Sequence, residues 1–179
     1  MNAARLVLAA LCVMGFCLAQ GGCKAHSVAA SPADRYADPP VGQYDKAIAH
    51  YTGIIKARPN DVEGYFGRGF TYSLKEQYGP AIEDFNRVLA IKPDYVDAYN
   101  DRGAAYFHLG LYRSAIRDYT RAVELKPDYA LVYANRALAY YYLKDYDNAW
   151  ADVKMCRNHG GQPDPSLIEF LSKASGRSE

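Results

Sequence analysis

A 34-residue interval runs through this chain from Tyr44 to Val153 and leaves little freedom in what it can fold into. Ala47, Ala81, Ala115 and Ala149 keep the interval, as do Tyr44, Tyr78, Tyr112 and Tyr146. So do Pro59, Pro93 and Pro127; Tyr65, Tyr99 and Tyr133; and Tyr72, Tyr106 and Tyr140. Gly69 and Gly103 continue as Ala137, while Tyr51, Phe85 and Tyr119 continue as Val153. Such self-similarity marks a stack of like units, each unable to bury its apolar side without its neighbours. Fourteen of the 17 tyrosines sit in recurring columns, so their surplus follows from repetition rather than from many separate roles.

Spacing within the unit is helical. Tyr65, Gly69 and Tyr72 fall at i, i+4 and i+7 on one helical face, and Ala81, Phe85 and Val88 do the same. The small residues Gly69, Gly103 and Ala137 are expected where two helices approach closely. Each repeated proline ends the second helix of its unit, because it cannot continue the hydrogen-bond ladder and drives the preceding residue out of helical angles. Asn60, Asp94 and Asp128 follow these prolines and offer side-chain oxygens near the next helix start.

The spacing predicts helix pairs over 62–74 with 78–91, 96–109 with 112–125, and 131–143 with 146–157. An unpaired second-type helix is expected over 43–57, since its partner would fall on a stretch holding Pro32, Pro39 and Pro40. The run 158–163 breaks the pattern. A short amphipathic helix over 165–174 then turns Leu167, Ile168 and Leu171 inward and caps the stack.

The units beginning GYFGRGFTYSLKEQYGPAIEDFNRVLAIKPD and AYNDRGAAYFHLGLYRSAIRDYTRAVELKPD match almost throughout. Their landmarks resemble the tetratricopeptide repeat, TPR. The resemblance implies an all-α protein, a right-handed α-solenoid of helix-turn-helix repeats with a C-terminal capping helix. On that pattern 43–60 is a half repeat, 61–94, 95–128 and 129–162 are full repeats, and 163–179 is the cap and tail. It also implies a role in protein–protein interaction, with a partner segment held in a concave groove lined by first helices.

Carried over residue by residue, that groove comprises Glu63, Phe66 and Phe70; Asp97, Asn100, Asp101, Phe107 and His108; and Asn135, Leu138, Tyr141 and Tyr142. These positions vary between units while the framework does not, as expected of a site grafted on a scaffold. One TPR subclass clamps a terminal carboxylate with cations and asparagines. Asn100 and Asn135 echo it, yet Glu63, Asp97 and Asp101 put acid where cations are needed. An aromatic, mildly acidic groove favours a segment with apolar anchors and a Lys or Arg. Repeat-to-repeat packing is the competing reading for Phe107, Tyr141 and Tyr142. A groove that stacks a small ligand or glycan also fits these residues, as does self-association of the solenoid.

The N-terminus is read separately. Leu6 to Ala19 is an uncharged apolar run, too short for a membrane span of about 20 residues and suited to an export signal. Gly22-Cys23 then resembles the lipobox of bacterial lipoproteins, with Gln20 where that motif carries an apolar residue. The resemblance implies a signal over 1–22, lipidation of Cys23, a flexible tether over 23–42, and a membrane-anchored lipoprotein of the cell envelope facing the periplasm. Ordinary cleavage after Ala19, giving a soluble periplasmic or secreted protein, is the alternative. Cys156 is then the single thiol besides Cys23, so no intramolecular disulfide is expected.

Chemistry is sparse elsewhere. The near balance of 21 basic and 20 acidic side chains argues against a broad nucleic-acid footprint. His26, His50, His108 and His159 form no zinc-binding spacing, and no HExxH or glycine-rich phosphate loop is present. Neither a catalytic site nor a cofactor or metal is expected. Arg68, Arg102 and Arg136 each precede an Asp (84, 118, 152) by 16 residues. Recurrence in every unit points to structural ion pairs rather than an anion-binding ladder. Cys156 replaces the small residues Val88 and Ala122, so burial is expected.

Overall fold

The structure, a computed structural model, describes residues 41–177. The expected signal, Cys23, His26 and nearly all of the tether lie outside the described residues. The last tether positions belong to a 3-10 turn, Val41–Gln43. Eight α-helices follow among the described residues: α1 Tyr44–Ala57, α2 Val62–Leu74, α3 Tyr78–Ile91, α4 Val96–His108, α5 Tyr112–Leu125, α6 Ala130–Tyr142, α7 Tyr146–Asn158 and α8 Pro165–Ser175. The pairs α2/α3, α4/α5 and α6/α7 are the full repeats, and α1 is a second-type helix whose expected partner stretch lies almost wholly outside the described residues. The TPR solenoid expected from the sequence is the fold observed.

Two turn chemistries fix the repeat. Between units, Arg58, Lys92 and Lys126 leave helical angles at φ −137°, −130° and −139°, each directly before a repeated proline. Their N–H groups still donate to the carbonyls of Ile54, Val88 and Ala122. Within units, the first helix closes with paired backbone bonds of the Schellman type. Glu76 N donates to Ser73 O and Gln77 N to Tyr72 O; Gly110 with Leu111 and Lys144 with Asp145 repeat the arrangement. The middle residue of each such turn is left-handed: Glu76 at φ 59°, Gly110 at 74°, Lys144 at 62°.

Capping differs from the sequence expectation. Asp61, not Asn60, caps α2, its Oδ1 accepting from Gly64 N at 2.7 Å. Asn60 Oδ1 instead accepts from Arg87 Nη2 at 3.1 Å. Tyr95 and Tyr129, rather than Asp94 and Asp128, occupy the next N-cap positions and provide no side-chain cap bond.

The core is a row of second-helix side chains closed against the first helices, with Phe85, Val88, Tyr119 and Val153 essentially buried. Each ladder arginine ties three elements together. Arg68, Arg102 and Arg136 fork onto Asp84, Asp118 and Asp152 with both bonds at 2.7–2.8 Å, inside their own repeats. The remaining Nη1 donates to Thr52, Asn86 or Thr120 in the preceding unit. The same guanidinium lies over Tyr65, Tyr99 or Tyr133 at 5.6–5.8 Å. The ladder is therefore a brace between repeats, as recurrence implied.

At the C-terminus Leu167 and Leu171 are buried, Ile168 only partly, and Trp150 Nε1 donates to Ser175 Oγ at 3.1 Å. Cys156 is buried, and burial pushes its thiol pKa up, away from reactivity.

Candidate functional site

The first helices α2, α4 and α6 contact one another in sequence as well as their own second helices, so they line a common face of the stack. A polar centre lies on that face, and an aromatic strip borders the stack along the turns within repeats.

The polar centre joins α4 to α6. Asn135 Nδ2 donates to Asn100 Oδ1 at 3.0 Å, and Asn100 Nδ2 donates to Asp101 Oδ1 at 2.9 Å. Both asparagines are buried. Asp97 sits one turn away and accepts from Tyr129 Oη at 3.2 Å; Glu63 and Tyr95 repeat the contact at 3.5 Å. Burial and the neighbouring Asp97 charge raise the Asp101 pKa to about 7, against the opposing bond from Asn100. The same desolvation, with nearby acids, holds Tyr95 and Tyr129 well above the ordinary phenol range. The centre therefore carries acceptor oxygens and a carboxylate close to its midpoint at neutral pH. It offers a landing place for a cationic group and poor footing for a carboxylate.

The aromatic strip runs along the turns between first and second helices. His108 stacks on Tyr78 at 4.7 Å and meets Phe107 edge-on at 5.9 Å. Phe107 packs against Tyr112 and Tyr142, both at 5.3 Å, and those two rings stack at 4.8 Å. Tyr141 continues the strip to Tyr146 and to Phe170 of the cap. Burial lowers the His108 pKa, so its ring is neutral at physiological pH.

The sequence-derived groove divides accordingly. Glu63, Asp97, Asn100, Asp101 and Asn135 come together at the polar centre. Phe107, His108, Tyr141 and Tyr142 come together in the strip, where they also pack repeat against repeat. Phe70 is half-buried on α2. Phe66 is only 3 % exposed, wedged against Phe85 and Tyr95, and Leu138 is buried as well. These two belong to the core and offer a partner little surface. Tyr78, Tyr95, Tyr112 and Tyr129 were legible only as framework columns, yet the first and third complete the strip and the other two bond the acids. Their recurrence beside the acidic positions was the available signal.

Among the described residues, no group of three or more His, Cys, Asp or Glu is placed to hold a metal ion, and no helix is long and apolar enough to cross a membrane.

Comparison with known proteins agrees with this architecture. Two family models, both described as tetratricopeptide repeat, match residues 41–96 and 75–138. No curated protein matches the sequence. Among solved structures, a crystal structure of MamA aligns at TM-score 0.67 and 26 % identity over 75 % of this chain and 80 % of that one. A MamA structure from Desulfovibrio magneticus RS-1 aligns at TM-score 0.64 and 22 % identity over 67 % and 68 % of the two chains. The TPR2B domain of yeast Sti1, solved as a complex with pHsp70, aligns at TM-score 0.59 and 23 % identity over 64 % and 96 %. The last two likenesses are of fold alone.

Proposed function

Because the chain is a tetratricopeptide repeat protein, we propose that it acts as a non-catalytic adaptor holding a segment of a partner protein on its first-helix face. Repeat folds of this kind serve as interaction modules, and the Sti1 domain solved with pHsp70 is an instance among its structural neighbours. The observation that carries the reading is the acidic, acceptor-rich centre on the first-helix face, with half-buried Phe70 on the same helix as Glu63. A segment bearing a Lys or Arg beside an aromatic or aliphatic anchor suits such a face. A glycan platform is less well supported, since Tyr112 and Tyr142 already cover one another's ring faces.

The reading includes export and anchoring. Acylation of Cys23 would hold the solenoid at a membrane of the cell envelope and present the groove to partners there, since two or more acyl chains give stable attachment where one does not. Detergent phase partitioning of the full chain against Cys23→Ala tests this, and wild type remaining in the aqueous phase would refute it.

Photo-crosslinking tests the groove. A benzoylphenylalanine placed at Phe70 should capture a discrete partner, whereas one at Arg121, exposed on α5, should not. Equal capture from both positions, or from neither, contradicts the assignment.

A further inference from the structure

Three large apolar side chains stand out into solvent among the described residues: Leu109 is 48 % exposed, Leu111 49 % and Leu143 38 %. Scattered single leucines would mean little, but these share one edge. Leu109 caps α4, Leu111 precedes α5 and Leu143 caps α6, so all three flank the turns between first and second helices. Tyr112, packed on both Phe107 and Tyr142, joins the two turns into one apolar strip. The charges in the turns cancel, Lys75 beside Glu76 and Lys144 beside Asp145. Asp45, Arg113 and Asp147 at the same edge also mix the two signs.

The chain enters the folded unit at this same edge. Tyr44 opens α1 in the column of Tyr78, Tyr112 and Tyr146, and Asp45 pairs at 2.6 Å with Lys75 in the first-to-second-helix turn of the next unit. Seventeen residues, 24–40, separate Val41 from Cys23. At about 3.3–3.6 Å per residue they reach at most about 60 Å, and any shorter path brings the edge nearer to whatever holds Cys23.

We propose that this edge is a lipid-facing surface. With Cys23 acylated, Leu109, Leu111 and Leu143 enter the headgroup–acyl boundary of the bilayer and hold the solenoid on its edge, with the first-helix face standing beside the membrane and open to a partner. The contact is apolar and insensitive to salt, unlike attachment through a basic patch. The proposal rests on the anchoring reading above, in that a leaflet contact this small needs an anchor to keep it in place.

Cysteine accessibility tests it, since Cys156 is buried and leaves an introduced thiol as the reporter. Leu111→Cys is compared with Asp94→Cys, exposed in the turn between repeats at the opposite edge. Each full-length variant is labelled with a membrane-impermeant maleimide in native membranes, and again after purification into vesicles of phosphatidylethanolamine and phosphatidylglycerol. In a further arm, a Cys23→Ala chain carrying the same cysteine is held on such vesicles by an N-terminal histidine tag and a nickel-chelating lipid. Labelling of Leu111→Cys should be several-fold slower on membranes than after detergent is added, at low and high salt alike, while Asp94→Cys labels equally throughout. Equal labelling of both positions on vesicles overturns the proposal. Protection in native membranes that vanishes on vesicles overturns it too, and assigns the edge to a protein partner. If the full chain never reaches the membrane, the anchoring reading fails, and the chelator-held chain decides the edge: protection there supports a lipid-facing surface and its absence overturns it.

Discussion

Gly103 lies directly against the ring of Tyr119: a Cβ on Gly103 would stand 2.8 Å from Tyr119 Cε1. Tyr119 is almost wholly buried, so the ring has nowhere to go. In the next repeat the same two positions hold Ala137 and Val153, both buried, and in the previous one Gly69 and Phe85. The residue without a side chain thus accompanies the aromatic ring, and alanine accompanies valine. Gly103→Ala should therefore lose about 1–3 kcal/mol through overpacking, despite alanine's better helix propensity. In a Tyr119→Val background the same change should become stabilising by up to about 1 kcal/mol. A double-mutant cycle in urea checks the sign reversal.

The turns within repeats give a second expectation. Glu76 and Lys144 adopt the left-handed conformation that Gly110 occupies in the middle unit. A side chain there costs roughly 1–2 kcal/mol, partly offset by the greater chain entropy that glycine gives up on folding. Glu76→Gly and Lys144→Gly should each raise stability by a few tenths to about 1 kcal/mol, while Gly110→Ala should lower it by a similar amount. Thermal unfolding of the three variants checks both directions.

Asp101 supplies a pH signature. Its pKa in the folded chain, about 7, lies above the ordinary carboxyl value of 3.8, so the folded state binds more protons than the unfolded one between those limits. This group's contribution is most favourable at low pH and is lost as pH rises through about 7. Asp101→Asn removes it. The melting-temperature difference, variant minus wild type, should grow more positive from about pH 4 to about pH 8, which differential scanning calorimetry can follow. A flat difference would show that Asp101 titrates normally.

The braces between repeats distinguish arginine from lysine. Arg136 bonds both oxygens of Asp152 and also Thr120 Oγ1, a fork that a single ammonium cannot reproduce. Arg136→Lys should cost about 1–3 kcal/mol, and Arg136→Ala more, because buried Asp152 is left uncompensated. Chemical denaturation with both variants checks the order.

The framework was readable because each repeat states it again. Helix limits at Val62–Leu74, Tyr78–Ile91 and Tyr112–Leu125 coincide with those expected from spacing, since a period of 34 averages away local ambiguity and the prolines mark every unit's end. The first-helix face was harder. Spacing places Phe66 and Leu138 on a helix but cannot say whether the helix turns them toward the open face or into the seam, and only packing against Phe85 and Tyr95 settles Phe66. Capping failed for a related reason. Tyr95 and Tyr129 reach the acids of the preceding unit, and those long-range bonds accompany helix starts that local Asp propensity did not anticipate. Lipidation of Cys23 belongs to residues outside the described structure and stands on the sequence alone.

An acidic first-helix face of this kind should select a partner segment carrying a cation. The most direct measurement of this selection is the affinity of a crosslink-identified partner segment for wild type and for Glu63→Lys/Asp97→Lys, with circular dichroism confirming the fold of each. Glu63 is exposed and Asp97 partly so, and each accepts a bond from a tyrosine hydroxyl of the following unit. Binding should weaken at least tenfold, about 1.4 kcal/mol, in the double variant, and wild-type binding should fall as salt rises. Equal affinity for the two folded proteins would contradict it.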